Sequence, residues 1–305
     1  MRLVRNYRST PHVLALANRM LTDTNGQRRG GSVELVPQRE GGTPPQLTAL
    51  DDDPAEAAWV AAKVKELVGQ GRALREIAVL FRTNGQSEAF ESALADADVP
   101  YLVRGGERFF SRSEVREAIL LLRGAARTDD GSKPLPAFVG DVLGGMGWHE
   151  DAPSGTGAVR SRWESLKALV DLAARLAAAS PEARLPELVR DLDERIAAQH
   201  APDVEGVTLA SLHAAKGLEW DVVFLVGCSD GLLPITMAEG VEEIEEERRL
   251  MYVGVTRARE VLHLSWSRAR NPGARSSRRV SRFLDHTASI LGEGARSTPK
   301  RSSSS

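Results

Sequence analysis

Apolar positions recur with two different periods along this chain, and the switches between them mark out its elements. After Ser9 and Thr10, either of which can cap a helix, and Pro11, whose fixed φ suits a first helical turn, Val13, Leu14, Ala17 and Leu21 predict a helix over residues 11–22. Residues 25–46 read as loop with one short strand, Val33-Glu34-Leu35-Val36. Asp51-Asp52-Asp53-Pro54 then places negative charge where a helix dipole is positive, and Ala57, Val60, Ala61, Val64 and Leu67 carry a helix to Gly69 or Gly71. Ile77-Ala78-Val79-Leu80-Phe81 is an unbroken apolar run, as a strand buried on both faces would be. A helix over 85–96 and a strand at Val99-Pro100-Tyr101-Leu102-Val103 follow. Helices and short buried strands in alternation predict an α/β unit.

The period then stays helical for a long stretch. A helix from Ser113 to about Leu122 is followed by a break rich in Gly, Asp and Pro over 124–136. Leu166, Leu169, Val170, Leu172 and Leu176, and then Leu185, Leu188, Val189, Leu192 and Ile196, repeat at helical spacing, with a loop at Gly144 to Gly157. Strand character returns in Val207-Thr208-Leu209-Ala210, Val222-Val223-Phe224-Leu225-Val226 and Val261-Leu262-His263-Leu264-Ser265. The expected organisation is a discontinuous α/β domain made of residues 1–110 and 205–290, a mostly helical insertion over 111–204, and a tail over 291–305 whose Pro-Lys-Arg and serine composition predicts disorder.

Composition narrows the class. With 305 residues, 42% hydrophobic and 27% charged, the chain is ordinary globular material, long enough for about two domains. Cys228 has no cysteine partner, which suits a reducing compartment. Forty Lys and Arg against 42 Asp and Glu argue against a uniformly basic nucleic-acid coat but leave room for a local basic groove. The distribution is in fact uneven: residues 257–301 hold eleven basic residues against three acidic ones, while Glu239 to Glu247 holds six glutamates. The longest apolar runs, Val222 to Gly227 and Ala118 to Leu122, fall far short of the roughly 18 residues of a membrane span. A soluble, cytoplasmic protein with no membrane partner is expected. The helical pattern begins almost at once and no secretory leader precedes it, as though the chain started inside a longer protein.

Three segments carry candidate chemistry. Ser211-Leu212-His213-Ala214-Ala215-Lys216-Gly217-Leu218-Glu219-Trp220-Asp221 lies between two strands, placing His213, Lys216 and Gly217 in a strand-end loop, the usual location for phosphate or nucleotide contacts. The bland alternative is a surface turn with a solvated Lys, and the full GxxxxGK[ST] phosphate loop occurs nowhere in the sequence. From Glu245 to Glu260 acidic residues lead and basic ones trail, as in a helix with surface ion pairs, but Thr256-Arg257-Ala258-Arg259 sets two guanidinium forks at a strand start, where they suit phosphate oxygens. In Asn6-Tyr7-Arg8-Ser9 a ring beside a guanidinium could stack on a base and touch phosphate, or simply pack at a domain edge. Six His and one Cys show no ligand spacing, so no metal site is expected, and no Gly-x-Ser-x-Gly elbow is present.

Together and in this order, the segments resemble the carboxy-terminal half of superfamily 1 DNA helicases of the UvrD/PcrA/Rep type. Leu3-Val4-Arg5-Asn6-Tyr7-Arg8-Ser9 is similar to that family's fourth motif, Gly105-Gly106-Glu107-Arg108-Phe109-Phe110-Ser111-Arg112-Ser113-Glu114-Val115-Arg116 to the segment after it, Thr208 to Trp220 to the fifth motif, and Glu246 to Arg259 to the sixth. Val280-Ser281-Arg282-Phe283-Leu284 is similar to the exit from the domain. The resemblance implies an α/β, RecA-like P-loop NTPase fold, namely the second helicase domain with a parallel sheet, flanking helices and an inserted helical subdomain. It implies an ATP-dependent 3′-to-5′ DNA helicase of repair or replication. In it Tyr7 stacks on adenine, Arg8 and Arg257 act catalytically at the γ-phosphate, Glu219 contacts the ribose side, and His213 and Lys216 face DNA. ATP and Mg²⁺ are the implied cofactors. The implied partners are single-stranded DNA or a duplex junction, and an amino-terminal helicase half in cis or in trans. The sequence holds no phosphate loop and no Mg²⁺-binding Asp-Glu segment, and its insertion is short and without a Gly-Ile-Gly hairpin. The 305 residues by themselves are therefore expected neither to hydrolyse ATP nor to unwind DNA. A non-catalytic DNA-binding or regulatory module, and one subunit of a split helicase with an exposed apolar interface, remain as alternatives.

Overall fold

The computed structural model describes residues 5–22, 34–104, 109–153, 158–198, 206–285 and 287–292. Leu3, Val4, Val33, Gly105 to Arg108 and the tail from residue 293, all of which carried expectations, lie outside the described residues.

In chain order the elements are β1 (Arg5–Asn6), α1 (Pro11–Met20), β2 (Val36–Pro37), β3 (Gln46–Leu50), α2 (Asp53–Gly69), β4 (Ile77–Phe81), α3 (Ser87–Asp96) and β5 (Tyr101–Arg104). They continue with α4 (Ser113–Ala125), α5 (Leu135–Gly144), α6 (Ala158–Ala179), α7 (Leu185–Ala198), β6 (Val207–Ser211), β7 (Trp220–Leu225), α8 (Val241–Val255) and β8 (Ala258–Ser267). Six strands form one sheet in the order β3-β8-β7-β4-β6-β5, with every neighbouring pair parallel. This is the α/β, parallel-sheet class expected from the sequence. β1 and β2 pair separately, Arg5 with Val36 and Asn6 with Pro37.

The central strand explains its own composition. Successive side chains of β4 point to opposite faces, so Ala78 and Leu80 join a core with Val13, Leu16 and Met20 of α1 and Met251 and Val255 of α8. Ile77, Val79 and Phe81 join the other face, packed with Val60 and Val64 of α2 and Phe90 and Leu94 of α3. Helices cover both faces, so β4 has no polar position to spare, and all five of its residues are buried. A third core unites α4 to α7 through Val115, Ile119, Leu122, Val139, Leu169, Leu188 and Leu192. Glu88 of α3, 3% exposed, joins that layer to the sheet layer, pairing with Arg175 of α6 at 2.8 Å and Arg195 of α7 at 3.2 Å.

Several expectations shift at their boundaries. β3 occupies Gln46–Leu50, immediately after the stretch that read as loop. It is an edge strand behind Pro44-Pro45, half-buried along most of its length, so its apolar pattern is weak; its register with β8, Gln46 opposite His263, supplies what the pattern lacks. Thr10 does sit at the capping position of α1, with Pro11 next, but its side chain caps nothing. Its neighbour Ser9 instead donates its hydroxyl to the Ala258 carbonyl at 2.7 Å. Asp52 does cap α2, accepting from the Ala55 N–H at 2.9 Å. Among the described residues, no helix is long and apolar enough to cross a membrane.

Candidate functional site

The stretch around Tyr7 and Arg8 is a tight turn pinned from several sides. Asn6 Oδ1 accepts from the N–H groups of Arg8 and Ser9 at 2.9 and 3.0 Å, an Asx turn that leaves Tyr7 68% exposed. Ser9 bonds Ala258 as described, Thr10 N–H donates to the Arg259 carbonyl at 3.0 Å, and Arg39 Nη1 donates to the Arg8 carbonyl at 2.9 Å. Residues about 250 positions apart are thereby sewn together at the first residues of β8.

The segment Leu212–Glu219 joins β6 to β7, two parallel strands that flank β4. It must therefore pass from the C-terminal edge of the sheet to the N-terminal edge. Such crossovers usually take a dozen or more residues. Here eight suffice, because a five-residue strand rises about 17 Å while eight residues of chain can reach about 26 Å or more. Leu212 and Ala215 are buried in the α1/α8 core, while His213, Lys216 and Gly217 are exposed. Gly217 turns the chain with φ of +87°, a left-handed conformation that favours glycine.

The two ends of this crossover meet different surroundings. At the C-terminal edge, Arg82, which directly follows β4, grips Glu247 of α8 with both Nε and Nη2 at 2.7 to 3.0 Å. Glu247 Oε2 also accepts the Ile235 N–H at 3.2 Å. Partial burial, and then the Arg82 charge, hold the His213 imidazole below its ordinary pKa. At the N-terminal edge Glu219 is shared. Arg8 Nε forms an ion pair with its Oε2, while Arg259 hydrogen-bonds its Oε1 through Nη2 at 2.6 Å and Nε at 3.2 Å and reaches Asp221 at 3.3 Å. The Arg259 hydrogen bond, and then the Arg8 charge, keep Glu219 below the usual carboxylate range. Arg257, one residue before β8, donates to the carbonyls of Val253 and Leu218 at 3.0 and 2.8 Å and to Thr256 Oγ1 at 3.3 Å. Burial and then the nearby Arg8 charge lower its pKa, so two guanidinium groups stand within repelling distance.

Of the residues singled out in the sequence, Arg8, Glu219 and Arg257 come together at one edge with Tyr7 in the adjoining turn, while His213 lies at the opposite edge and Lys216 on the crossover between them. The strand-end loop expected to gather the phosphate contacts therefore divides its residues between both edges. Arg82 and Arg39 escaped the sequence reading. A basic residue directly after a buried strand run was the available signal for Arg82; nothing local marked Arg39. Among the described residues, no group of three or more His, Cys, Asp or Glu side chains could hold a metal ion.

The profile of the UvrD-like helicase C-terminal domain matches residues 1–135 and 148–269. The ATP-dependent DNA helicase UvrD2 of Mycobacterium bovis is 49% identical over 291 residues, covering 94% of this chain and 41% of the relative. DNA helicase II of Escherichia coli K12 is 30% identical over 363 residues, 93% of this chain and 49% of the relative. The ATP-dependent DNA helicase PcrA of Staphylococcus epidermidis is 26% identical over 358 residues, 92% and 49% respectively. The chain thus spans somewhat under half the length of the curated relatives it matches.

Proposed function

The chain belongs to the UvrD-like helicase C-terminal domain family, and from this premise we propose that it supplies one wall of the ATP site and part of the DNA path of a 3′-to-5′ DNA helicase acting in repair or replication. The observation that carries the reading is the convergence of Arg8, Glu219, Arg257 and Arg259 at one sheet edge, from three stretches separated by as many as 250 positions.

Each group suits its assignment. The exposed Tyr7 ring offers a face for adenine. Arg257 is oriented by three neutral oxygens, so its charge stays available to an incoming anion. With Arg8 beside it, two forks present positive charge where phosphoryl transfer develops negative charge. Glu219, at the mouth of the cluster, is the group for the ribose side. ATP is the substrate; Mg²⁺ and the β-phosphate are left to a phosphate loop that this sequence does not contain. On this reading the 305 residues alone do not hydrolyse ATP, and an amino-terminal helicase half, in cis or in trans, completes the cleft.

The crossover gives the domain a means of communication. His213 and Lys216 face single-stranded DNA or a duplex junction, and the short, core-anchored segment from Leu212 to Glu219 connects them to the nucleotide edge. A displacement at one end is carried to the other because Leu212 at its start and Ala215 at its middle are held in packed surroundings. Mixing the chain with a separately expressed amino-terminal half should yield DNA-stimulated ATPase. Arg257→Ala should lower that rate by about a hundredfold or more, the scale for loss of a charge that stabilises phosphoryl transfer. Full activity in the variant would sink the assignment.

A further inference from the structure

Arg259 belongs to the convergent cluster but has been given no role of its own, yet it is the more extensively bonded partner of Glu219. It gives Oε1 two hydrogen bonds, at 2.6 and 3.2 Å, and has a second carboxylate, Asp221, at 3.3 Å. Arg8 takes only Oε2. The backbone of Arg8 is fixed separately: Arg39 holds its carbonyl and is itself held at 3.1 Å by Glu260, whose other oxygen pairs with Arg72 at 2.8 Å. The loop is thus anchored by its main chain, and the Arg8 side chain is the part left to exchange partners.

An anion that engages Arg8 must take it from Glu219. A carboxylate stripped of all its cations would stand, 31% exposed, beside an incoming triphosphate and repel it. One that keeps a cation on its other oxygen would not. We propose that Arg259 is a positioning residue that keeps Glu219 neutralised through Oε1, so that Arg8 can pass from Glu219 to the phosphates of a nucleoside triphosphate. This rests on the nucleotide-edge reading above. Asp221 adds to the device: it gives Arg259 a second anchor on β7, so Arg259 stays with the protein while Arg8 moves to the ligand.

Two experiments on the 305-residue chain test this, with a thermal melt of each variant to establish folding. Without ligand, hydrogen exchange at Arg8 Nε, followed by NMR, should slow severalfold in Arg259→Gln, because the whole Glu219 charge then falls to Arg8. Arg259→Lys, which keeps the charge, should give an intermediate rate. Unchanged exchange in Arg259→Gln overturns the proposal. With ATP as titrant, Arg259→Gln should weaken binding about three- to tenfold, and the same substitution placed on Glu219→Gln should have no effect. Equal losses in both backgrounds would mean that Arg259 attracts or touches the phosphates directly, and no loss in either would remove it from the site; both results overturn the proposal. Failure of ATP to shift the Arg8 and Arg257 signals of the unmodified chain would instead count against the nucleotide site itself, leaving the ligand-free result to decide on Arg259.

Discussion

Arg8 and Arg257 repel each other, and the site tolerates them because one is ion-paired with a carboxylate and the other is hydrogen-bonded to neutral oxygens. Elsewhere the chain buries acidic groups with less compensation. Glu56 is fully buried in α2; its Oε1 accepts from the Gly227 N–H at 2.9 Å and the Ser265 hydroxyl at 2.6 Å, yet burial outweighs both bonds and pushes its pKa up to about 7. A carboxyl raised in this way contributes stability below its ordinary value near 4.5 and loses it as pH rises through about 7. Glu56→Gln keeps an oxygen for both donors and removes the charge. It should therefore be more stable than the parent chain by about 1–3 kcal/mol at pH 8 and nearly equal to it at pH 4.5, as read from urea unfolding. A difference that does not change with pH would refute the assignment. The buried His263, pushed down to about 4 chiefly by burial, works in the opposite direction, losing stability as pH falls from 6.5 through about 4, but it is common to both proteins and cancels in the comparison.

Among the elements, α8 joins the two ends of the candidate site. Its middle holds Arg82 through Glu247, and the residue after its cap is Arg257, so one helix spans the surroundings of His213 and the edge proposed for the nucleotide. The ten positions between Glu247 and Arg257 correspond to about 15 Å of helix. The Arg82 and Glu247 side chains are only 18% and 9% exposed, so removing one partner strands the other charge. Arg82→Ala should cost about 3–5 kcal/mol. Arg123→Ala, which breaks a pair about half exposed on each side, should cost no more than about 1 kcal/mol. In the Arg82 variant the His213 pKa should also rise, since a neighbouring positive charge has been removed; an unmoved titration by NMR would place Arg82 away from the imidazole.

For the whole molecule, the near-zero net charge conceals a distribution that is uneven along the sequence, which leaves room for a local basic surface on the proposed DNA path. The chain alone should bind single-stranded DNA weakly, with an affinity that falls steeply between about 50 and 200 mM salt as condensed counterions are displaced. Salt-independent binding in a fluorescence-anisotropy titration would rule out a backbone-tracking surface. The helical layer is tied to the sheet layer in part by Glu88, an ion cluster that joins segments about 90 to 110 positions apart. Resemblance to the helicase motifs singled out Tyr7, Arg8, His213, Lys216, Glu219 and Arg257 as candidates, whereas the pattern of apolar positions marked the α/β class, the strands β4, β6, β7 and β8 and the helical stretch between β5 and β6. The pattern could do so because burial writes its period directly into the order of side chains. The tertiary structure alone decided that β3 is an edge strand, that Ser9 bonds β8 instead of capping α1, that the crossover separates His213 from Glu219, and that Arg259 shares the Glu219 carboxylate. Those outcomes depend on the strand order β3-β8-β7-β4-β6-β5, which brings the starts of β7 and β8 side by side. Charge pairing follows distance in space, and no periodicity along the chain encodes which carboxylate a given guanidinium will meet.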